Sequence, residues 1–245
     1  MNMKIMGVDI SSKSTGWAII ENDKLLEYGK INPTGKSMSN AQKMYLFHVE
    51  LRKIIDSKRP DEIAIEDVVQ VRGVSVLKLL ARFNGIAIIE AYRHTQKEPE
   101  LFEPSRWKSM VDGCTGSARK CEVQNAVCKK YGLLSADKIA AYKKRIDEAK
   151  ETLGEVGSDS RQQLKKLRKE LKKCRKKDDM KKAQDLEVQV LQCSEAILKQ
   201  KKSGKKDMSE IFDKISMDIY TETGVNEDIA DAIGVAIARQ QTIKG

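Results

Sequence analysis

Histidine is scarce in this chain, cysteine is unpaired, and no apolar run approaches a membrane span. Only His48 and His94 occur in 245 residues, so chemistry built on a histidine base has few candidates. Both read as ordinary surface or helix residues. The apolar stretches fall well short of the roughly 20 residues a bilayer crossing needs, and the N-terminus lacks the pattern of a secretory signal. No membrane association is expected. The five cysteines, Cys114, Cys121, Cys128, Cys174 and Cys193, are odd in number and never spaced C-x-x-C. That argues against structural zinc and a disulfide framework, and for reduced thiols in a cytoplasmic setting.

What the chain has in excess is positive charge, and it is concentrated. The net charge is +10. Residues 136–206 hold 22 Lys and Arg against 12 Asp and Glu, and the remainder holds 24 of each sign. The whole surplus lies in one block, so any argument for a polyanionic partner starts there. The length allows one large domain or two small ones, with ample chain for a core.

Along the chain, Met3 to Ile10 reads as a strand ending near Asp9. Gly16 to Ile20 is a second strand, and Leu25 to Ile31 a third after the Asn22-Asp23 turn. Residues 40–58 carry Met44, Phe47, Leu51, Ile54 and Ile55 at helical spacing. Ile63-Ala64-Ile65-Glu66 is a short buried strand, again ending in an acid. Val74 to Tyr92 is a second helix, Leu101-Phe102 a short strand, and Ser117 to Tyr131 a third helix. The expectation is an α/β fold with a mixed five-stranded sheet flanked by helices.

Near the C-terminus, Ile229, Ala232, Ile233, Ala236 and Ile237 mark a helix with one buried stripe, and Asn226 is its N-cap. Capping and the helix dipole account for one or two acids there. They do not account for Asp228 and Asp231, three apart on one face beside the apolar stripe. Two carboxylates so placed repel each other unless a cation or proton lies between them. A lone acid at a strand end is commonly a turn former. Asp9, Glu66, Asp228 and Asp231 together, from three segments, form a candidate carboxylate cluster for hard divalent cations.

These residues carry a resemblance. Gly7-Val8-Asp9-Ile10-Ser11 with Thr15-Gly16-Trp17-Ala18, then Ile63-Ala64-Ile65-Glu66-Asp67-Val68, then Asp228-Ile229-Ala230-Asp231-Ala232 resemble the RuvC family of Holliday-junction resolvases. Ser75 to Leu80, Pro104-Ser105-Arg106-Trp107-Lys108 and Gly116-Ser117-Ala118-Arg119-Lys120 continue the match, which spans about residues 3–132 and 208–242. The resemblance implies a ribonuclease H-like fold and a homodimeric, metal-dependent endonuclease that binds four-way DNA junctions and nicks two opposing strands symmetrically. It assigns Asp9, Glu66, Asp228 and Asp231 as catalytic acids holding two Mg²⁺ ions, for which Mn²⁺ substitutes. It places Lys108 and Lys120 near the scissile strand; Ser12, Lys13, Arg72 and Lys78 are further candidate DNA contacts outside the family pattern. It also implies a cytoplasmic protein of a bacterial or virus-infected cell.

Two departures stand out. Ile10-Ser11 follows the first acid where cellular members of the family commonly carry Pro-Gly, which leaves Ser11, Ser12, Ser14 and Thr15 as possible phosphate contacts. Val68, Val69 and Val71 follow Glu66 where the family often has an aromatic wedge. In both respects the chain looks more like the virus-encoded branch of the family.

The block 136–206 has no counterpart in compact members. Ile139, Tyr142, Ile146, Ala149 and Leu153 follow heptad-like spacing, as do Leu164, Leu167, Leu171 and Cys174, and Ala183, Leu186, Val190, Cys193 and Ile197. A basic, coiled-coil-like helical insertion into a nuclease core of 1–135 and 207–245 is expected. A break near Gly204 would precede a separate helix from Met208. Lys165, Lys166, Arg168 and Lys169 form either a solvated helix face or a contact with the DNA backbone. Competing readings are a flap or fork endonuclease, a sugar kinase or actin-like ATPase, and a non-catalytic DNA-binding protein.

Overall fold

The computed structural model describes residues 3–33, 37–69, 73–155, 163–170 and 180–244. The described chain separates into two compact units, one of residues 1–142 and 216–245 and one of residues 143–215.

The first unit is built on a five-stranded sheet. Its strands are β1 (Lys4–Asp9), β2 (Thr15–Glu21), β3 (Lys24–Ile31), β4 (Glu62–Glu66) and β5 (Glu100–Phe102), in the spatial order β3-β2-β1-β4-β5. β1 runs antiparallel to β2 and parallel to β4, β2 runs antiparallel to β3, and β4 runs parallel to β5. Only β2 opposes the rest, which is the ribonuclease H-like arrangement that the family resemblance implies.

Side chains alternate between sheet faces with period two. Met6 and Val8 of β1, Trp17 and Ile19 of β2, and Ile63 and Ile65 of β4 share one core. α1 (Asn40–Lys58) and α2 (Val74–Thr95) cover that face with Phe47, Leu51, Ile55, Phe83, Ala87 and Ala91. Phe47 and Phe83 are fully buried, with ring centroids 5.1 Å apart. Beneath them the Glu90 carboxylate accepts hydrogen bonds from Arg52 and Arg93 and pairs with His48 at 2.8 Å. Ile5 and Ile20 face the other way and pack with Ala236 of the last helix.

Three helices differ from the expectation. α3 (Pro104–Ser109) lies between the expected strand at Leu101-Phe102 and the expected helix from Ser117, where no element is predicted. α4 (Lys120–Lys130) begins three residues later than Ser117, because the Glu122 side chain accepts the Arg119 amide at 3.0 Å and starts the helix there. α6 (Met180–Thr223) is one helix of 44 residues that passes through Gly204 without a break. A lone glycine costs a helix interior only about 1 kcal/mol relative to alanine, too little to end it.

α7 (Glu227–Lys244) crosses the second face of the sheet. The sequence reads as one apolar stripe, yet Ala230, Gly234, Val235 and Ala238 are as buried as the stripe itself. The helix is enclosed on several sides, with the sheet on one and Trp107 of α3 on another. Its approach to the sheet depends on two glycines. A Cβ on Gly7 would lie 2.1 Å from the Ala232 carbonyl oxygen, and one on Gly16 would lie 2.0 Å from that of Asp228.

The second unit holds the rest of α5 (Ala136–Glu155), the helical residues 163–170 and most of α6. Within it Ile146, Ala149 and Leu186 are buried, and Leu164, Leu167, Val190 and Cys193 are half-buried, in keeping with the apolar spacing. The side chains of Leu153, Leu171, Cys174, Ala183 and Ile197 lie outside the described residues. No described helix is long and apolar enough to cross a membrane. The described cysteines Cys114, Cys121, Cys128 and Cys193 are free thiols.

The contact at Gly16 yields a prediction. Gly16→Ala should destabilise the protein by about 1–3 kcal/mol, the usual cost of overpacking. Gly85→Ala in α2, where a Cβ meets nothing within 4 Å, should instead be neutral or gain up to about 1 kcal/mol. Chemical denaturation of both variants checks the pair.

Candidate active site

β1 and β4 are parallel, with Val8 opposite Ile65. The next residues, Asp9 and Glu66, therefore stand side by side at the ends of neighbouring strands. By alternation from Ile5 and Gly7, Asp9 turns toward the face that α7 covers. α7 begins over Gly16, the β2 residue paired with Asp9. Its first turns bring Asp228 and Asp231 to the same end of the sheet. Three remote segments thus deliver four carboxylates to one place.

Burial and neighbouring charge shift three of the four. Burial pushes the Asp9 carboxyl well above its ordinary range, and the charges of Glu66, Asp231 and Asp228 push it further, with Lys120 opposing. Asp231 is raised to about 7, by burial first and then by Glu66, with Lys108 and Lys120 pulling the other way and Asp228 adding to the rise. Glu66 is raised by burial, against the hydrogen bond from Trp107 and the charges of Lys108 and Lys120.

Asp228 and Glu66 are held from behind. Ser14 Oγ donates to Asp228 Oδ2 at 2.6 Å, and Asn226 Nδ2 donates to the same oxygen at 3.1 Å. Asn226 is also the N-cap, accepting the Ile229 amide on its side-chain oxygen at 3.0 Å. Trp107 Nε1 donates to Glu66 Oε2 at 3.0 Å, and Asn84 Nδ2 donates to the Glu66 carbonyl at 3.2 Å. Asp231 Oδ1 is buried with no hydrogen-bond partner.

The basic residues divide. Lys108 and Lys120 lie near enough to counter the acids. Lys120 is ion-paired with Glu227, whose other oxygen accepts from Ser216 at 3.1 Å. Burial tends to lower the Lys120 pKa, but the hydrogen bond and charge of Glu227, with the charges of Asp231 and Asp228, raise it overall. Lys108 Nζ sits 5.4 Å from the centroid of the Trp107 ring. Ser12 is half-buried and Lys13 exposed on the turn after Asp9, and Lys78 is exposed on α2. Lys165, Lys166, Arg168 and Lys169 are exposed in the second unit. Arg72 and Val71 lie outside the described residues.

One reading of the turn is corrected. Thr15 is fully buried, and its hydroxyl donates to the Ser11 carbonyl at 3.0 Å while accepting the Ser11 amide at 3.2 Å. It closes the turn and offers nothing to a phosphate. Ser14 likewise spends its hydroxyl proton on Asp228. Trp107 and Glu227 were not singled out from the sequence, since neither a core tryptophan nor an acid in a helix's first turn carries a local signal of such contacts.

As the side chains stand, no three or more His, Cys, Asp or Glu among the described residues are arranged to grip one ion. The donor set nevertheless fits a hard cation. The Asp231 oxygen without a partner, and the raising of Asp9 and Asp231 by burial and by their acidic neighbours, describe negative charge that Lys108 and Lys120 only partly offset.

A carboxyl whose native pKa is raised binds more protons in the native state than in the unfolded chain. Stability then rises as pH falls from about 7 toward the ordinary Asp value of 3.8. In chelator, Asp231→Asn should stabilise the protein at pH 8 by on the order of 1–3 kcal/mol, and the gain should fade by about pH 4. Thermal unfolding across that range checks it. A variant no more stable than the parent at pH 8 would show that the carboxylates do not crowd one another.

Residues 5–141 match the family model described as crossover junction endodeoxyribonuclease RuvC. The chain is 31% identical over 131 residues to the crossover junction endodeoxyribonuclease RuvC of Alkaliphilus oremlandii, covering 51% of this chain and 77% of that protein. It is 30% identical over 131 residues to that of Finegoldia magna, with the same coverage. A solved structure of T. thermophilus RuvC in complex with Holliday junction substrate is similar at a TM-score of 0.47 and 18% identity, over 55% of this chain and 82% of that one. Asp9 and Glu66 fall inside the matched stretch, whereas Asp228 and Asp231 lie beyond it and join the site only through the fold. With more than half its length matched, the chain belongs to the RuvC family of crossover junction endodeoxyribonucleases.

Proposed function

We propose that Asp9, Glu66, Asp228 and Asp231 are the catalytic acids of a Holliday-junction resolvase, and that they hold two Mg²⁺ ions, with Mn²⁺ able to substitute. The observation that supports this is the meeting of four mutually repelling carboxylates at one end of a ribonuclease H-like sheet. Bound divalent ions supply a polarised water and charge compensation at the scissile phosphate. The chain's own residues do the placing. Ser14 and Asn226 both bind Asp228 Oδ2, which orients that carboxylate and leaves its second oxygen for the ion. Trp107 does the same for Glu66 through Oε2. Lys108 and Lys120 bring positive charge to the rim, where it offsets the phosphate charge that builds in the transition state.

The enzyme works as a homodimer, one site per opposing strand, and its product is a pair of symmetric nicks. A DNA substrate and bacterial relatives support a cytoplasmic location. A second reading, cleavage of flaps or forks, is favoured by the residues after Glu66. Val68 is half-buried and Val69 exposed, and neither offers the aromatic surface that stacks in an opened junction centre.

The direct test is incubation of four-way, forked and linear DNA with and without Mg²⁺. Paired nicks at matching positions on the four-way junction are expected, with none on linear duplex. Asp9→Asn should abolish nicking and retain junction binding. Faster cutting of the fork would favour the second reading, and full activity of Asp9→Asn would end both.

For the insertion we propose contact with the DNA backbone through Lys165, Lys166, Arg168 and Lys169, which stay exposed while Leu164 and Leu167 turn inward. Each phosphate contact contributes about 0.9 to the slope of log affinity against log salt. Replacing all four with alanine should therefore flatten that slope by about 2–4 while nicking persists at low salt. An unchanged slope would make this face a solvated helix surface only.

A further inference from the structure

We propose that Trp107 is a positioning residue, whose buried indole N–H fixes the Glu66 carboxylate within the site. The proposal rests on the nuclease reading above and deepens it.

Glu66 has three side-chain torsions and is pushed away from Asp9 and Asp231 by their charges. Unrestrained, a glutamate so placed swings out of the cluster. Two contacts oppose this. Asn84 Nδ2 holds the Glu66 carbonyl at 3.2 Å, which fixes the end of β4. Trp107 Nε1 holds Oε2 at 3.0 Å, which fixes the carboxylate itself and leaves Oε1 for a cation. A neutral donor suits the task. A lysine or arginine there would compete with the cation for the charge, whereas an indole N–H orients the oxygen without neutralising it.

The indole is itself immobile. Trp107 is fully buried. Its ring lies against Gly234 of α7, where a Cβ would come within 2.4 Å of Cζ3. Gly234 follows Asp231 by three residues, close to one turn, on the helix that carries Asp228. One rigid ring therefore references Glu66 of β4 to the helix bearing two other carboxylates. A core-filling role explains the ring's burial but not its N–H, since phenylalanine fills a core with no donor to satisfy.

Trp107→Phe keeps a ring against Gly234 and removes the donor. Loss of a group that orients a metal-binding residue typically costs tenfold to a hundredfold in metal affinity or activity. Mn²⁺ affinity of the full chain without DNA, measured by titration calorimetry, should fall by about that factor, and so should the single-turnover nicking rate. Junction affinity in chelator should stay within about twofold, since Trp107 is buried and offers no surface to a phosphate backbone. In a Glu66→Ala background the same substitution should add no further loss of Mn²⁺ affinity, because the carboxylate that the indole orients is already gone. Equal losses in both backgrounds, or none in either, would overturn the proposal. Should Trp107→Phe fail to fold, the indole ¹⁵N–H resonance of Trp107 in the intact protein decides. It should shift on adding Mg²⁺ and lose hydrogen-exchange protection in Glu66→Ala, and a signal blind to both would equally sink the proposal. The Mn²⁺ and resonance readouts need no DNA, so failure of the nuclease reading would show separately, as wild-type protein that leaves branched DNA uncut.

Discussion

The close packing of α7 on β1 and β2 is the contact on which the rest depends. Four carboxylates repel, and nothing in their own chemistry brings them together. They are forced into company because Gly7 and Gly16 let a helix backbone come within touching distance of a sheet backbone. Ile229, Ala232, Ile233 and Ala236 then bury enough apolar surface to hold it there. The stability of the helix–sheet contact offsets the cost of keeping buried acids close to one another.

The cluster is also unequal in how its members are restrained. Asp228 is held by a serine from the turn after β1 and by the helix's own N-cap. Glu66 is held by a tryptophan and an asparagine from two different helices. Asp231 has one oxygen buried with no partner at all. Two carboxylates are thus anchored, and a third keeps a buried oxygen unsatisfied. Lys108 and Lys120 soften the repulsion from outside without entering the cluster.

Within the sheet-bearing unit, side chains of α4, the start of α5 and the last turns of α6 bind one another. Gln124 donates to the Ser216 and Val225 carbonyls, Asn125 donates to the Ile139 carbonyl at 3.3 Å, and Lys138 and Tyr142 both bind Glu222. The first residues of the basic block are thereby part of the sheet-bearing unit. Ser216 also reaches Glu227, the partner of Lys120, so the foot of the long helix is one residue away from a lysine of the site.

The strands, the principal helices and the four acids were legible in the sequence because each rests on a local pattern. Alternation marks β1 and β4, three-and-four spacing marks α1, α2 and α7, and an acid at a strand end or helix start is visible as such. The family was legible for the same reason, as short motifs in order. What the sequence could not carry was every contact between remote segments. Thr15 and Ser14 look alike, yet one closes a turn and the other holds Asp228, a partner 214 residues away. Trp107 reads as core, and only the tertiary structure turns its N–H toward Glu66. Gly204 reads as a break, and only the continuous backbone of α6 shows that one glycine is too weak to end so long a helix. Periodicity encodes which face a residue takes, and it holds no record of what meets that face. That record exists only once the chain has closed on itself.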